Sequence, residues 1–314
     1  MNTITRRGFS GVIPTMARLR FLTAPTYAAF SAATCSSAIA QGIAVAAKDF
    51  TEQLLVAEMT AQLLRAHGYS VHKGTGFGGP TIRAFQESGV IDLSWEYTGT
   101  ALSMFHQETK KQLPGEGYER IKTLDAKRGL VWLAPSKVNN TYSLAMRRED
   151  AAAKGIASIS ELAAKVSKGE GIRVASTPEF PGRPDGLKSL QQAYRFEFML
   201  GYVVTMEAGA VYSTLRRSEF DVGVVYTTDP RISAFDLTVL RDDKDAFPNY
   251  IMAPVIRQSA LKRHPDLRTV LESLSAVLDN DTMRALNAAV DLQGRNLEEV
   301  ASEFLQRSAL IGSP

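Results

Sequence analysis

Four tyrosines stand where short apolar stretches run out into polar turns. Tyr97 lies in Ile91-Asp92-Leu93-Ser94-Trp95-Glu96-Tyr97-Thr98-Gly99-Thr100 and Tyr142 in Asn139-Asn140-Thr141-Tyr142. Tyr226 lies in Val225-Tyr226-Thr227-Thr228-Asp229 and Tyr250 in Phe247-Pro248-Asn249-Tyr250. Ligands of open α/β sheets bind where strands end, because helix N-termini and short loops converge there. One such tyrosine is ordinarily a half-buried ring with a wet hydroxyl. Four at one site suit a cation that cannot donate hydrogen bonds: a quaternary ammonium sheds water cheaply and lays its methyls on electron-rich ring faces. Each contact contributes about 0.5–2 kcal/mol, so four supply about 2–8 kcal/mol gross. Micromolar affinity takes about 8 kcal/mol net, so a second anchor is expected. Lys48, Thr100 and Arg183 are the candidates for holding a carboxylate or hydroxyl. The planar fork of Arg183 matches two oxygens; its alternative is a salt bridge to Asp185 or Glu179. The alternative for Lys48 is a solvated turn lysine. Asn140 is neutral and suits accepting from a ligand hydroxyl or bracing a tyrosine.

These residues need elements to hold them, and the pattern supplies strands alternating with helices. Ile43–Ala47 reads as a buried strand, followed by a helix to about His67, with Thr51, Glu52 and Gln53 placed to cap it. Tyr69–Lys73 reads as a second strand. Gly74-Thr75-Gly76-Phe77-Gly78-Gly79 then matches G-x-G-x-x-G, but after the second strand of the unit, where a dinucleotide fingerprint requires the first. The plainer reading is a glycine turn that brings a helix N-terminus, with Pro80 at its first position, close to a cleft. The alternation restarts after about residue 140 and returns to a strand near 250. From about 259 onward the chain reads as helices. This predicts an α/β protein of two lobes joined by two crossovers: residues 41–139 with 251–314 form one lobe, and 140–250 form the other, inserted lobe. The C-terminal helices belong to lobe one. Tyr142 and Tyr250 then fall at the crossovers, and all four rings face one cleft.

The chain has 314 residues, 45% of them hydrophobic and 22% charged, an ordinary globular balance that gives no prior for disorder. Its formal charge of +3 is local. Arg6, Arg7, Arg18 and Arg20 are the only charged residues in positions 1–40, and without them acidic and basic residues nearly cancel. Nucleic acid is therefore not an expected partner. Thr5-Arg6-Arg7-Gly8-Phe9 resembles a twin-arginine export motif, and Ala38-Ile39-Ala40 fits a cleavage site near Ala40. Processing at Cys35 as a lipoprotein is disfavoured, because Ala32-Ala33-Thr34 lacks the usual leucine. Cleavage at Ala40 leaves no cysteine, so no disulfide is expected in an oxidising compartment. No later run approaches the ~18–20 apolar residues of a membrane span. A periplasmic monomer without metal or cofactor is the expectation.

Enzyme chemistry finds little footing. His67, His72, His106 and His264 stand in polar, helix-end or loop contexts, away from any Gly-x-Ser-x-Gly turn. No His/Cys/Asp spacing repeats as a metal site would require.

Five short motifs carry a resemblance. Lys48-Asp49-Phe50-Thr51-Glu52-Gln53, Glu96-Tyr97-Thr98-Gly99-Thr100, Asn139-Asn140-Thr141-Tyr142, Arg183-Pro184-Asp185-Gly186 and Thr228-Asp229-Pro230-Arg231-Ile232 look like those of the glycine betaine/carnitine/choline-binding proteins of osmoprotectant ABC transporters. The resemblance implies a type II periplasmic-binding-protein fold that closes by a hinge, with an ABC permease as membrane partner. It implies a tyrosine box of Tyr97, Tyr142, Tyr226 and Tyr250 around a trimethylammonium group, with Asn140 beside it and Lys48, Thr100 and Arg183 on the carboxylate side. Pro230 replaces the family's glycine and Trp95 its proline, both next to box tyrosines. The competing reading is a protein of the same fold for another small solute, an amino acid or polyamine-like cation, used in sensing.

Overall fold

A computed structural model describes residues 42–109 and 115–312. The expected export signal, with Arg6, Arg7, Cys35 and the cleavage site near Ala40, lies outside the described residues.

Two five-stranded mixed sheets organise the chain. Strands β1 (Ile43–Lys48), β2 (Val71–Phe77), β3 (Leu93–Tyr97) and β4 (Leu130–Trp132) enter the first sheet. Strands β5 (Tyr142–Arg147), β6 (Val174–Ser176), β7 (Val203–Thr205), β8 (Val222–Tyr226) and β9 (Leu237–Val239) form the second, and β10 (Met252–Arg257) returns to the first. The orders are β2-β1-β3-β10-β4 and β7-β6-β8-β5-β9. Each sheet is parallel at its heart, and each receives one strand from a crossover that runs antiparallel to its neighbours: β10 in the first, β5 in the second. Alanine and valine dominate β1 and valine β8, because these strands are covered on both faces. The C-terminal helices Leu267–Ala276, Asn280–Asp291 and Leu297–Arg307 pack on helix Thr51–Ala66, and so lie on the first lobe as expected.

The passages between sheets run side by side. Asn139 bridges Ile251, the Asn140 N–H donates to the Tyr250 carbonyl (3.2 Å), and the Met252 N–H donates to the Val138 carbonyl (3.0 Å). The Tyr250 N–H donates to the Asn139 side-chain oxygen at 2.8 Å.

Some details differ from the sequence reading. The glycine run does not open a turn after Lys73. Strand β2 continues to Phe77, with Gly74 and Gly76 inside it. As the edge strand, β2 tolerates a register shift against β1, and Gly76 absorbs it at φ +82°, a conformation that residues with a Cβ disfavour. Gly78 and Gly79 then start the next helix, Gly79–Ser88. Helix Thr51–Ala66 has no side-chain cap: Phe50 is its N-cap residue, and Thr51 instead donates to Asp291 at 2.6 Å. Residues 101–105 form a π-helical turn after Thr98–Thr100. Helix Arg148–Lys154 has too little apolar periodicity to be foreseen.

A buried ionic cluster braces that π-helical turn. Asp125 is fully buried and accepts from both Arg83 amino groups (2.7 and 2.6 Å) and from the Trp132 indole (2.7 Å). His106, just past the turn, contacts it at 2.7 Å. Burial alone would raise the Asp125 carboxyl, but Arg83, Trp132 and His106 outweigh it and hold it below the usual range. Asp125→Asn should therefore cost about 3–5 kcal/mol by leaving Arg83 buried without its partner. In denaturant titrations the gap between the two proteins should be full above about pH 4. It should close as the pH falls through the depressed Asp125 value, because protonation then removes the same charge from the parent. A pH-independent gap would point to packing alone.

Candidate functional site

The strand registers bring the aromatic residues together. Tyr142 and Tyr226 are directly opposed in the β5–β8 ladder, with ring centroids 5.0 Å apart and a 41° tilt. Tyr97 ends β3 opposite Met252, so the segment entering β10 carries Tyr250 to the same place. The Tyr250 ring meets Tyr142 edge-on at 5.5 Å and 80°. Gly99 permits that approach: a Cβ there would lie 2.7 Å from the Asn249 carbonyl oxygen and 2.9 Å from the Tyr250 ring.

A fifth ring completes the wall. Phe50 lies flat on Tyr226 (6.1 Å, 3°) and faces Tyr97 (6.5 Å, 23°), bridging the two lobes. Sequence reasoning did not single it out as a site residue. No sequence signal marked it, because Thr51 beside it reads as the natural cap and only the structure makes Phe50 the N-cap residue. Phe180 and Phe247 back Tyr142.

Together these residues enclose a cavity of about 260 Å³ between the lobes. All eight residues expected at the site (Lys48, Tyr97, Thr100, Asn140, Tyr142, Arg183, Tyr226 and Tyr250) line it. Phe50, Glu179 and Glu207 line it too, as does the start of helix Gly79–Ser88, so the glycine run does bring a helix N-terminus to the cleft.

The polar groups are already engaged. Arg183 is buried and forms the salt bridge left open by the sequence, with Asp185 and not Glu179: Nε and Nη2 each donate at 2.8 Å. Nη2 also reaches Thr100 Oγ1 at 3.3 Å. Asp185, named in the sequence reading only as a possible partner of Arg183, further accepts from Tyr250 (2.8 Å) and from Ser103 (2.6 Å) of the π-helical turn. Lys48 is not a solvated turn lysine. It pairs with Glu96 at 2.5 Å and lies 5.1 Å from the centre of the Tyr97 ring. Asn140 acts as a brace: its amide donates to Glu52 Oε1 at 2.9 Å, the oxygen that also accepts the Tyr97 hydroxyl at 2.7 Å.

Burial, reinforced by neighbouring carboxylates at Tyr97 and Tyr250, pushes the phenols of Tyr97, Tyr142 and Tyr250 well above their ordinary value, and burial raises Tyr226 as well. The four phenols are therefore neutral at physiological pH and present electron-rich faces. Among the described residues, no group of three or more His, Cys, Asp or Glu could hold a metal ion.

Two α/β lobes joined by two adjacent crossovers, with an aromatic cavity between them, are the architecture of a type II periplasmic binding protein. The chain belongs to the family described as "Substrate binding domain of ABC-type glycine betaine transport system", whose model matches residues 41–307. This is a family of extracytoplasmic solute-binding transport proteins, not of enzymes. A glycine-betaine-binding protein of Pseudomonas aeruginosa is 41% identical over 289 residues, covering 88% of this chain and 93% of that protein. An ergothioneine transport permease/ergothioneine binding protein of Helicobacter pylori is 33% identical, covering 85% of this chain and 48% of that longer protein. The crystal structure of a glycine betaine/carnitine/choline ABC transporter protein superposes with a TM-score of 0.70 at 27% identity, covering 85% of this chain and 99% of that one.

Asp185 joins Arg183, Tyr250 and Ser103, which come from different parts of the fold. Asp185→Ala should destabilise the protein by about 3–5 kcal/mol, by stranding a buried guanidinium. Urea unfolding checks this. A loss below about 1 kcal/mol would mean that Arg183 finds another partner or water.

Proposed function

We propose that this protein captures a quaternary ammonium osmoprotectant, such as glycine betaine, choline or carnitine, in the cavity between its lobes and delivers it to the permease of an ABC transporter. The observation that carries the reading is the continuous ring wall of Tyr97, Phe50, Tyr226, Tyr142 and Tyr250 around a cavity of about 260 Å³. A methylated cation satisfies such a wall without hydrogen bonds. An amine bearing N–H groups would need acceptors in the wall. Five rings supply about 2.5–10 kcal/mol gross, which reaches micromolar affinity only if a polar anchor contributes. Arg183 and Thr100, with Lys48, would hold a carboxylate or hydroxyl at one end, and Asn140 would brace the other. The names of the relatives from Pseudomonas aeruginosa and of the solved glycine betaine/carnitine/choline protein support this ligand class.

We assign residues 41–139 with 251–314 to lobe one and 140–250 to lobe two. Residues 1–40 are assigned to a twin-arginine-like export signal removed near Ala40. The basic pair Arg6-Arg7 and the small residues before Gln41 support that assignment. N-terminal sequencing of the exported protein tests it.

Calorimetry with glycine betaine, choline, carnitine and proline tests the ligand class. The methylated amines should bind, and proline should bind far more weakly. Binding of a primary amine or amino acid in preference to all of them would favour the competing solute class. Tyr→Ala at position 97, 142, 226 or 250 should weaken binding by at least about tenfold, roughly one ring contact. Tyr→Phe should cost less at Tyr142 and Tyr226, whose hydroxyls bond only weakly to each other at 3.5 Å. Equal small losses for both substitutions would mean the rings are only structural. Ligand should also reduce the radius of gyration in small-angle scattering as the lobes close; an unchanged radius at saturation would count against hinge closure.

A further inference from the structure

Behind the ring wall sits a carboxylate whose hydrogen bonds hold the cage but whose charge the cage does not need for its shape. Glu52 is 2% exposed. Its Oε1 accepts the Tyr97 hydroxyl and the Asn140 amide, and its Oε2 has no hydrogen-bond partner. Thr228 and Asn287 approach the same carboxylate without closing a bond to Oε2. A second cavity of about 180 Å³ opens beside Glu52 and shares Phe50, Asn140 and Tyr226 with the first. A buried carboxylate oxygen without a donor is expensive, and nothing in the fold requires one there.

Asp49 and Glu179, which also border the first cavity, are solvent-exposed, and the remaining charged groups near the cavities have partners. Lys48 pairs with Glu96, and Arg183 with Asp185. Along the second cavity, Arg231 binds Asp229 and Asp291, and Glu207 caps the helix that follows it. Tyr97, the titratable group bonded to Glu52, stays protonated. Glu52 is thus the buried carboxylate beside the cage that lacks a cation.

We propose that Glu52 is the specificity-determining countercharge of the site: it makes the cage prefer a permanent positive charge to a neutral group of the same shape. It acts in two ways. Its charge attracts the cation across a desolvated wall, where screening is weak. It also accepts a hydrogen bond from the Tyr97 hydroxyl, which enriches the ring in electron density and strengthens the attraction of its face for a cation. The inference rests on the cage reading above and names what selects charge within it.

A consequence follows for protons. Burial raises the Glu52 carboxyl above its usual range. A bound cation favours the ionised form, so capture should release a proton wherever the free protein holds Glu52 partly protonated. The affinity for a permanent cation should accordingly fall as the pH drops through the Glu52 value.

Glu52→Gln keeps an acceptor for Tyr97 and Asn140 but removes the charge. Wild type and variant are titrated calorimetrically with choline and 3,3-dimethyl-1-butanol, and with glycine betaine and 3,3-dimethylbutanoate. Each pair differs only by carbon in place of N⁺. In the variant the cationic member should bind about tenfold more weakly, an effect the size of one pKa unit, while its neutral-headed isostere is unchanged. An unchanged preference for charge overturns the proposal, and equal losses for both members reduce Glu52 to a structural brace. If the variant fails to fold, wild type alone decides. Titrations in buffers of different ionisation heat, taken down to the lowest pH at which the protein stays folded, should show proton release with the cation that grows as the pH falls toward the raised Glu52 value, and none with the isostere; no release even there overturns the proposal. Wild type that binds no quaternary amine at all would instead sink the cage reading itself.

Discussion

Two chain passages, hydrogen-bonded to one another between the sheets, determine where everything else in the site can be. Tyr142 begins the strand that follows one passage, and Tyr250 ends the other. The register of β5 against β8 then sets Tyr226 beside Tyr142, and the register of β10 against β3 sets Tyr97 opposite Met252, two residues from Tyr250. A one-residue slip in either ladder would turn these rings to the opposite face. The site is therefore specified by backbone pairing, and the side chains decorate a geometry already made.

Given that geometry, the remaining physical problem is what to do with the phenol hydroxyls. A buried Tyr O–H seeks an acceptor, and an acceptor inside the cavity would compete with a solute. Here Tyr97 donates to Glu52, Tyr250 donates to Asp185, and Tyr226 turns toward Tyr142, so the polar ends point away from the space and the ring faces border it. The two carboxylates also tie the wall to its surroundings: Glu52 to Asn140, and Asp185 to Arg183 and Ser103. Ser103 connects in turn, through the π-helical turn, to the Arg83–Asp125–His106 cluster. The wall thus owes its orientation to buried acids that do not themselves form its faces.

What could be read from the sequence was whatever depends on strand ends. Tyr97, Tyr142, Tyr226 and Tyr250 each sit where an apolar run meets a polar turn, and runs of that kind are visible without coordinates. Lobe alternation was legible for the same reason. Phe50 was not, because its role comes from bridging Tyr97 and Tyr226, which lie on strands of different sheets. Glu52 was hidden by its position in the first turn of a helix, where a carboxylate is ordinarily explained by the helix dipole. The choice between Asp185 and Glu179 for Arg183 depended on the path of a proline-containing loop that spacing does not encode. The glycine run misled because a strand at a sheet edge can absorb a left-handed residue that would end an interior strand.

The doubled connection has a mechanical meaning. One strand linking two bodies lets them swivel in every direction. Two linkers lying alongside and bonded to each other, as at Asn139–Ile251 and Asn140–Tyr250, resist torsion and sideways shear and leave bending about one axis as the soft mode. Bending about that axis would carry Phe50 and Tyr97 away from Tyr226 and Tyr142 along a single arc and return them along the same track, so that the aromatic faces would re-form in register.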